Sequence, residues 1–385
     1  MKQQAQWSRR AFVRGAGYLS AGSVVAAAAP TPGVAAHEQN APGFGFVGSA
    51  TGGGSLHVFA IDGQHWRIQQ RISSKAPVSL AVHPKGRFLY VVNQVQETGN
   101  LPRGSVEAYE INTSDGRLAL INRQPLALSA VMPRMLAITS DGRSIVVAVH
   151  GGGAYNVLPI KHDGTLGSVQ SRFKETGSGP HPQLQTSSHP HTVIVTAEGK
   201  TIIASDEGSD RLSVFAIQND HLVRQQQIQV ASGSGPGHLA LHESGSNLFV
   251  VNSFQNSISS YKLNASGDIV ERPVCSVDAE LSNTNEALIC ISDILYAAGS
   301  SAINSWKIDP ITGQLSHLQS LACPPIRRLT KTLGGKNLIG VDLANKRLVQ
   351  IDIVGADFDR QFGRMSHCRP IASVDSPISV ATKLS

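Results

Sequence analysis

Aromatic residues make up only 5% of the 385-residue chain, and it has three tryptophans. Trp7 lies at the very start, so Trp66 and Trp306 are the only indoles in the bulk of the chain, and stacking platforms for sugar rings are scarce. Cysteine is sparse too. Cys275, Cys290, Cys323 and Cys368 all fall in the last third without the close paired spacing of a zinc site. Inert or core thiols are the default for them, with one late-formed disulfide as the alternative. No Gly-x-Ser-x-Gly elbow and no His-Glu-x-x-His motif occurs, and no Gly-rich stretch leads into Gly-Lys-Ser/Thr and a helix. These absences argue against an α/β-hydrolase, a zinc protease and a nucleotide-binding loop. Long helical patterns are missing as well.

Acidic residues are absent before Glu38. In their place stand Ser8-Arg9-Arg10-Ala11-Phe12-Val13-Arg14, a Gly/Ala/Val-rich stretch from Gly15 to Ala29, and the small residues Val34-Ala35-Ala36. An arginine pair, a modest apolar segment and a small-residue cleavage site read as a twin-arginine export leader over residues 1–36, followed by a short linker over 37–42. The stretch is too short and too rich in Gly and Pro for a membrane anchor. Periplasmic or secreted location is the expectation, with no membrane attachment once the leader is removed. The whole chain carries 33 basic and 27 acidic residues. Loss of Lys2, Arg9, Arg10 and Arg14 reduces this to 29 against 27, a net of +2. With no Lys/Arg cluster interleaved with aromatics, a nucleic-acid partner is not expected.

What the chain has in quantity is a recurring hairpin. His83-Pro84-Lys85-Gly86-Arg87-Phe88-Leu89-Tyr90 is echoed by Ser140-Asp141-Gly142-Arg143-Ser144-Ile145-Val146-Val147, then around Gly199 and Gly245. These four turn glycines are 56, 57 and 46 residues apart, with shorter copies turning at Asp293 and Gly335 after steps of 48 and 42. Periods of about 40–50 residues with several strands each mark propeller blades, small sheets that bury their faces only against their neighbours. The roughly 345 residues beyond the leader, at a period of about 48, make seven. The predicted fold is therefore all-β: one seven-bladed β-propeller over residues 43–385. Blades 2 to 7 open near Pro77, Pro133, His189, Gly237, Asn285 and Ile326. The final run, Pro377 to Thr382, is expected to complete blade 1, which has only three strands of its own (Gly45 to Ala50, Leu56 to Asp62, Trp66 to Ile72), and so to close the ring.

In such a blade the start of the first strand and the end of the second lie on one face of the ring. Polar residues at these positions converge on the channel mouth, the place to expect a small-molecule ligand. They are His150 with Gly151-Gly152-Gly153, His189 and His191, Asp206, Gly237 and His238, and Asn252 with Ser253; Arg134 and Arg327 open blades 3 and 7. His189 and His191 alternate along a strand, so one is placed to face the channel and the other to pack between blades. Asp206 and Asp210 flank a tight turn and are well suited to capping backbone amides. The four histidines show no rigid ligand spacing, so neither a metal nor another cofactor is expected.

The ordered pieces Phe46-Val47-Gly48-Ser49-Ala50-Thr51, Ala81-Val82-His83-Pro84-Lys85-Gly86, Gly151-Gly152-Gly153 with Asp163-Gly164-Thr165-Leu166, Gly179-Pro180-His181-Pro182, His189-Pro190-His191, Asp206-Glu207-Gly208-Ser209-Asp210-Arg211 and Gly235-Pro236-Gly237-His238 carry a specific resemblance. Over roughly residues 43 to 383 the chain resembles the seven-bladed propeller lactonases. This is the group of bacterial 6-phosphogluconolactonases that also contains a fungal carboxymuconate-lactonising enzyme. The resemblance implies lactone hydrolysis, with the family's blade 4 histidine matched by His189 or its neighbour His191. Other family positions are altered. The arginine before the blade 5 histidine is Gly237, the glutamate ending the next strand is Ser253, the blade 6 arginine is matched by Gly299, and the Asn-Tyr of blade 3 is Val149-His150. Arg134, Arg327, His150 and Glu207 are the residues able to substitute. Two readings follow: an exported lactone hydrolase with an altered constellation, or a binding propeller that kept the scaffold and lost the charges. A lactone-forming isomerase depends on the same altered positions and falls with them.

Overall fold

The computed structural model describes residues 43–384, apart from 197, 200, 282–286, 333–336 and 355–362. The expected leader (1–36) and linker (37–42), the turn at Gly335 and the blade 6 opening at Asn285 lie outside the described residues.

Seven four-stranded antiparallel sheets are present among the described residues, with a single 3-10 turn (Thr51–Gly53). The innermost strands are Pro377–Leu384 in blade 1, Pro77–Val82 in blade 2 and Pro133–Ile138 in blade 3. Blades 4 to 7 follow with Pro190–Val195, Pro236–Leu241, Leu288–Ile291 and Ile326–Lys331. Five of the seven begin with proline. A strand's first residue tolerates the missing N–H, and the fixed φ aims the chain from the loop into the channel wall. Each inner strand touches those of both neighbouring blades, so the seven form a closed ring. In blade 1 the last strand, Pro377–Leu384, pairs antiparallel with the first, Gly43–Ser49.

Burial follows strand order. The second strands are runs of β-branched and aromatic residues, such as Phe88–Asn93 and Asn247–Asn252, buried at every position because a blade covers each face. Outer strands such as His65–Ser73 are largely exposed. The core divides into seven apolar clusters, one at each blade–blade interface. The recurring turn glycines do what their spacing suggested: Gly86, Gly142, Gly199 and Gly245 all have φ between +70° and +74°, a region costly for side chains. At the shorter blade 6 turn Ser292 takes this conformation, at φ +48°.

Side-chain amides add polar latches between blades. Gln226 both donates to the carbonyl of Ile269 (2.8 Å) and accepts from its N–H (2.7 Å), mimicking a strand pair, and Gln319 does the same with Met365. A disulfide joins Cys323, at the end of blade 6, to Cys368 on the outer strand of blade 7, with Cα atoms 6.1 Å apart. The default of inert thiols is thus corrected for this pair. It holds for Cys290, buried, with its pKa raised to about 12 by desolvation.

Candidate functional site

The site is built by β-bulges. In six blades the pairing between the first two strands slips just after the inner strand begins. The residues at the slip are Ile378, Val78, Arg134 and His191 in blades 1 to 4. In blade 5, Gly237 and His238 stand opposite Val251, and in blade 7 Arg327 and Arg328 stand opposite Val341. A bulge bends the strand and re-aims its side chain. Blades 1 and 2 place apolar residues at this position; blades 3, 4, 5 and 7 place cationic or titratable ones. Arg134 and His191, separate candidates in the sequence, are the single extra residues of their bulges, while His238 and Arg327 belong to the two-residue bulges of blades 5 and 7.

Blade 4 and the end of blade 3 supply the densest cluster. His150 Nε2 lies 2.7 Å from Glu207 Oε1, and His191 Nε2 lies 3.8 Å from Glu207 Oε2. The rings of His150 and His189 stack at 4.7 Å, 16° from parallel. His189 Nδ1 is 3.1 Å from the backbone carbonyl of His150. A carbonyl only accepts, so Nδ1 carries the proton, and in the neutral ring Nε2 keeps its lone pair. Ser187 Oγ lies 3.5 Å from Nε2, at the outer limit of a hydrogen bond in which the hydroxyl donates. His189 is half-buried just ahead of the inner strand, whereas His191, two residues on, is 2% exposed. Both histidines belong to the cluster around His150 and Glu207.

Charge organises the cluster. Burial would raise the Glu207 carboxyl, but His191, the hydrogen bond from His150 and the positive charge of Arg134 together hold it down at about 2. Glu207 is therefore ionised near neutrality. His191 is pushed well below 6.5, first by burial and then by Arg134, with Glu207 pulling the other way and His238 and His150 adding repulsion. It is a neutral imidazole at pH 7. The sign of the pH dependence follows. Below about pH 6.5 the unfolded chain takes up a proton at His191 that the folded chain refuses, so stability drops as pH falls, by up to about 1.4 kcal/mol per pH unit. The Glu207 contribution is present above about pH 4.5 and is lost only as pH falls from there toward 2. We expect His191→Gln to flatten the wild-type decline between pH 6.5 and 4.5, read from urea midpoints. Parallel curves for the two proteins would contradict a buried neutral His191.

Two sequence candidates are spent within the scaffold. Asp206 accepts from the backbone N–H of His189 (2.7 Å) and Gly208 (3.0 Å) and from the Ser188 hydroxyl. Asn252 donates to Ser257 (3.0 Å) and Ser259 (2.8 Å). Both are buried and serve turn geometry rather than the mouth. Asp210 is a cap likewise, accepting from Gly233 and Gly235 N–H and from Gln185. Gln185 also donates to the carbonyl of Glu207 (2.8 Å), which ties the loop before blade 4 to the acidic turn. Gly208 has no room for a side chain, since a Cβ there would lie 2.0 Å from the Ser187 carbonyl.

A Cβ on Gly237 would meet Ser253 Oγ at 2.5 Å and lie 3.7 Å from His191 Nε2, so Gly237, Ser253 and His191 converge. A Cβ on Gly299 would meet the Glu280 carbonyl at 2.6 Å, and backbone cannot yield as a flexible side chain does. Arg328, unremarked in the sequence, links blade 7 to blades 2 and 3. It is 8% exposed, and its guanidinium reaches from blade 7 to the Val78 carbonyl of blade 2 (3.4 Å) and to Met135 Sδ of blade 3 (3.9 Å).

A seven-bladed ring of four-stranded sheets with titratable side chains gathered where the inner strands of blades 3 and 4 begin is a β-propeller with a candidate site at its channel mouth. The chain belongs to the lactonase, seven-bladed β-propeller family, whose pattern matches residues 44–380. It is 25% identical over 291 residues to a 6-phosphogluconolactonase of Bacillus subtilis, covering 72% of this chain and 81% of that one. To a 6-phosphogluconolactonase of Formosa agariphila it is 27% identical over 229 residues, covering 57% of this chain and 64% of the other. The same fold is found in a periplasmic gluconolactonase of Pseudomonas aeruginosa, with a TM-score of 0.78 at 22% identity over 89% of this chain and all of that one.

Proposed function

We propose that this protein is an exported hydrolase of unphosphorylated sugar-type lactones, acting at the channel mouth with His189 as general base. The observation that carries the proposal is the fixed tautomer of His189: a backbone carbonyl holds the proton on Nδ1 and leaves the Nε2 lone pair available in a half-open position. In the proposed reaction, Nε2 takes a proton from water as its oxygen bonds to the lactone carbonyl carbon. The resulting oxyanion is stabilised by the positive potential of Arg134. The tetrahedral intermediate then collapses, the ring C–O bond breaks, and the ring oxygen takes the proton back from His189. One water is consumed and one hydroxy acid leaves. Glu207 and His150 position the stacked His189 ring without touching the substrate.

Export is supported by the Arg9-Arg10 leader pattern and by the Cys323–Cys368 disulfide, which suits an oxidising compartment. The P. aeruginosa neighbour is itself described as periplasmic. Phosphorylated sugar lactones are expected mainly in the cytoplasm, so the unphosphorylated class fits better. The withdrawal of charge at Gly237, Ser253 and Gly299 favours the other reading, binding without turnover. Hydrolysis of glucono-1,5-lactone and of its 6-phosphate, followed by acid release above the buffer rate, separates the two. Acceleration is expected for the first and little for the second. A protein that binds glucono-1,5-lactone yet accelerates neither reaction is a binding propeller.

A further inference from the structure

The seam where blade 7 meets blade 1 contains a polar cleft of about 480 Å³. Blade 1 lines it with Ser55, His57 and Arg71, and blade 7 with Asn345, Lys346 and Asp375. Strand pairing places His57 opposite Arg71, so alternate residues of two strands present their polar ends to one cleft. His57 is 6% exposed. Its Nε2 meets the Ser55 hydroxyl at 3.0 Å, and its buried Nδ1 has no protein partner. Leaving such an atom unsatisfied costs about 1–3 kcal/mol. Burial and then the Arg71 charge lower the His57 pKa, which leaves the ring neutral. The formal charges around the cleft are Arg71 and Lys346 against Asp375, a net of one positive, with Lys346 Nζ 3.8 Å from Asp375 Oδ1.

We propose that this cleft binds a polyhydroxylated monocarboxylate. The Arg71 guanidinium presents a planar fork that matches a carboxylate. Ser55, Asn345 and Asp375, which line the cleft, are suited to ligand hydroxyls. One net positive charge matches a monoanion, while Asp375 at the rim disfavours a phosphate dianion. The occupant touches both blade 7 and blade 1 and so braces the seam at which the ring closes. The cleft shares no lining residue with the cluster around His189, His191 and Glu207, and the proposal does not rest on the lactonase reading.

Titration calorimetry and thermal melting with sodium gluconate test it on the whole protein. Gluconate is expected to bind the wild type and raise its Tm, to bind Arg71→Gln on the order of 10-fold more weakly, and to bind Arg134→Gln unchanged. Lys346→Gln should weaken binding in the same direction, which keeps the test valid should Arg71→Gln fold poorly. Absence of binding at millimolar gluconate overturns the proposal. So does loss of binding in Arg134→Gln with Arg71→Gln unaffected, which would assign the gluconate to the mouth. Inorganic phosphate binding as tightly as gluconate overturns the ligand class.

Discussion

His189→Ala is expected to lower turnover of the accepted lactone by about 10²–10⁴, the usual worth of a positioned general base. The magnitude rests on geometry that holds before substrate arrives. The carbonyl of His150 fixes the proton on Nδ1, the His150 ring stacks on the His189 face, and Asp206 holds the His189 N–H. His189→Gln keeps a polar side chain but supplies no base, so it should lose nearly as much. Glu207→Gln should act through His150 and not at the reacting atoms. The expected signature is a partial loss in kcat with a displaced pH profile and an unchanged KM, whereas a purely structural effect would appear as a lowered Tm alone. Wild-type turnover in a well-folded His189→Ala would remove the base from this position. Because groups that act as a unit are non-additive, His189→Ala and Glu207→Gln combined should cost little more than His189→Ala alone.

The fold was largely legible in the sequence because its determinants are local and repeated. Gly86, Gly142, Gly199 and Gly245 share one backbone conformation, and each stands between runs that become the first and second strands of a blade. The site was only partly legible: in blades 1 to 5 the bulge directly follows the proline that opens the inner strand, but that proline does not say which side chains the bulges bring together. Arg134 and His191 each follow such a proline, His238 stands one residue further along after Pro236-Gly237, and Arg327 follows Ile326. Glu207 was visible only as one acid in a turn rich in them. Asp206 and Asp210 beside it cap amides, and only the three-dimensional approach of His150, 57 residues earlier, sets Glu207 apart. Arg328 was hidden for a different reason: its partners, Val78 and Met135, lie across the channel. The glycine at 299 carries its reason in backbone contacts that no pattern of side chains reveals.

Deleting residues 377–385 is expected to produce the largest loss of stability of any change considered. The strand Pro377–Leu384 is the innermost element of blade 1, paired along Gly43–Ser49 and packed between the inner strands of blades 2 and 7. Ile378 is 6% exposed, and the Ser379 hydroxyl donates to the Pro77 carbonyl at 2.5 Å, which links blade 1 to blade 2. Its removal strips cover from Phe46 and Val47, both fully buried, and bares the whole edge of Gly43–Ser49. Burying one large apolar side chain is worth about 1.5–3 kcal/mol, so losing Ile378 and Val380 and exposing Phe46 and Val47 costs on the order of 5 kcal/mol or more. That is a large share of the 5–15 kcal/mol by which folded domains are typically stable. A bare strand edge also templates pairing between chains, so the truncated protein should aggregate as it melts. The check is thermal unfolding with light scattering, beside a control lacking only residue 385. Matching midpoints for the truncated and intact proteins would mean that the ring does not depend on its last strand.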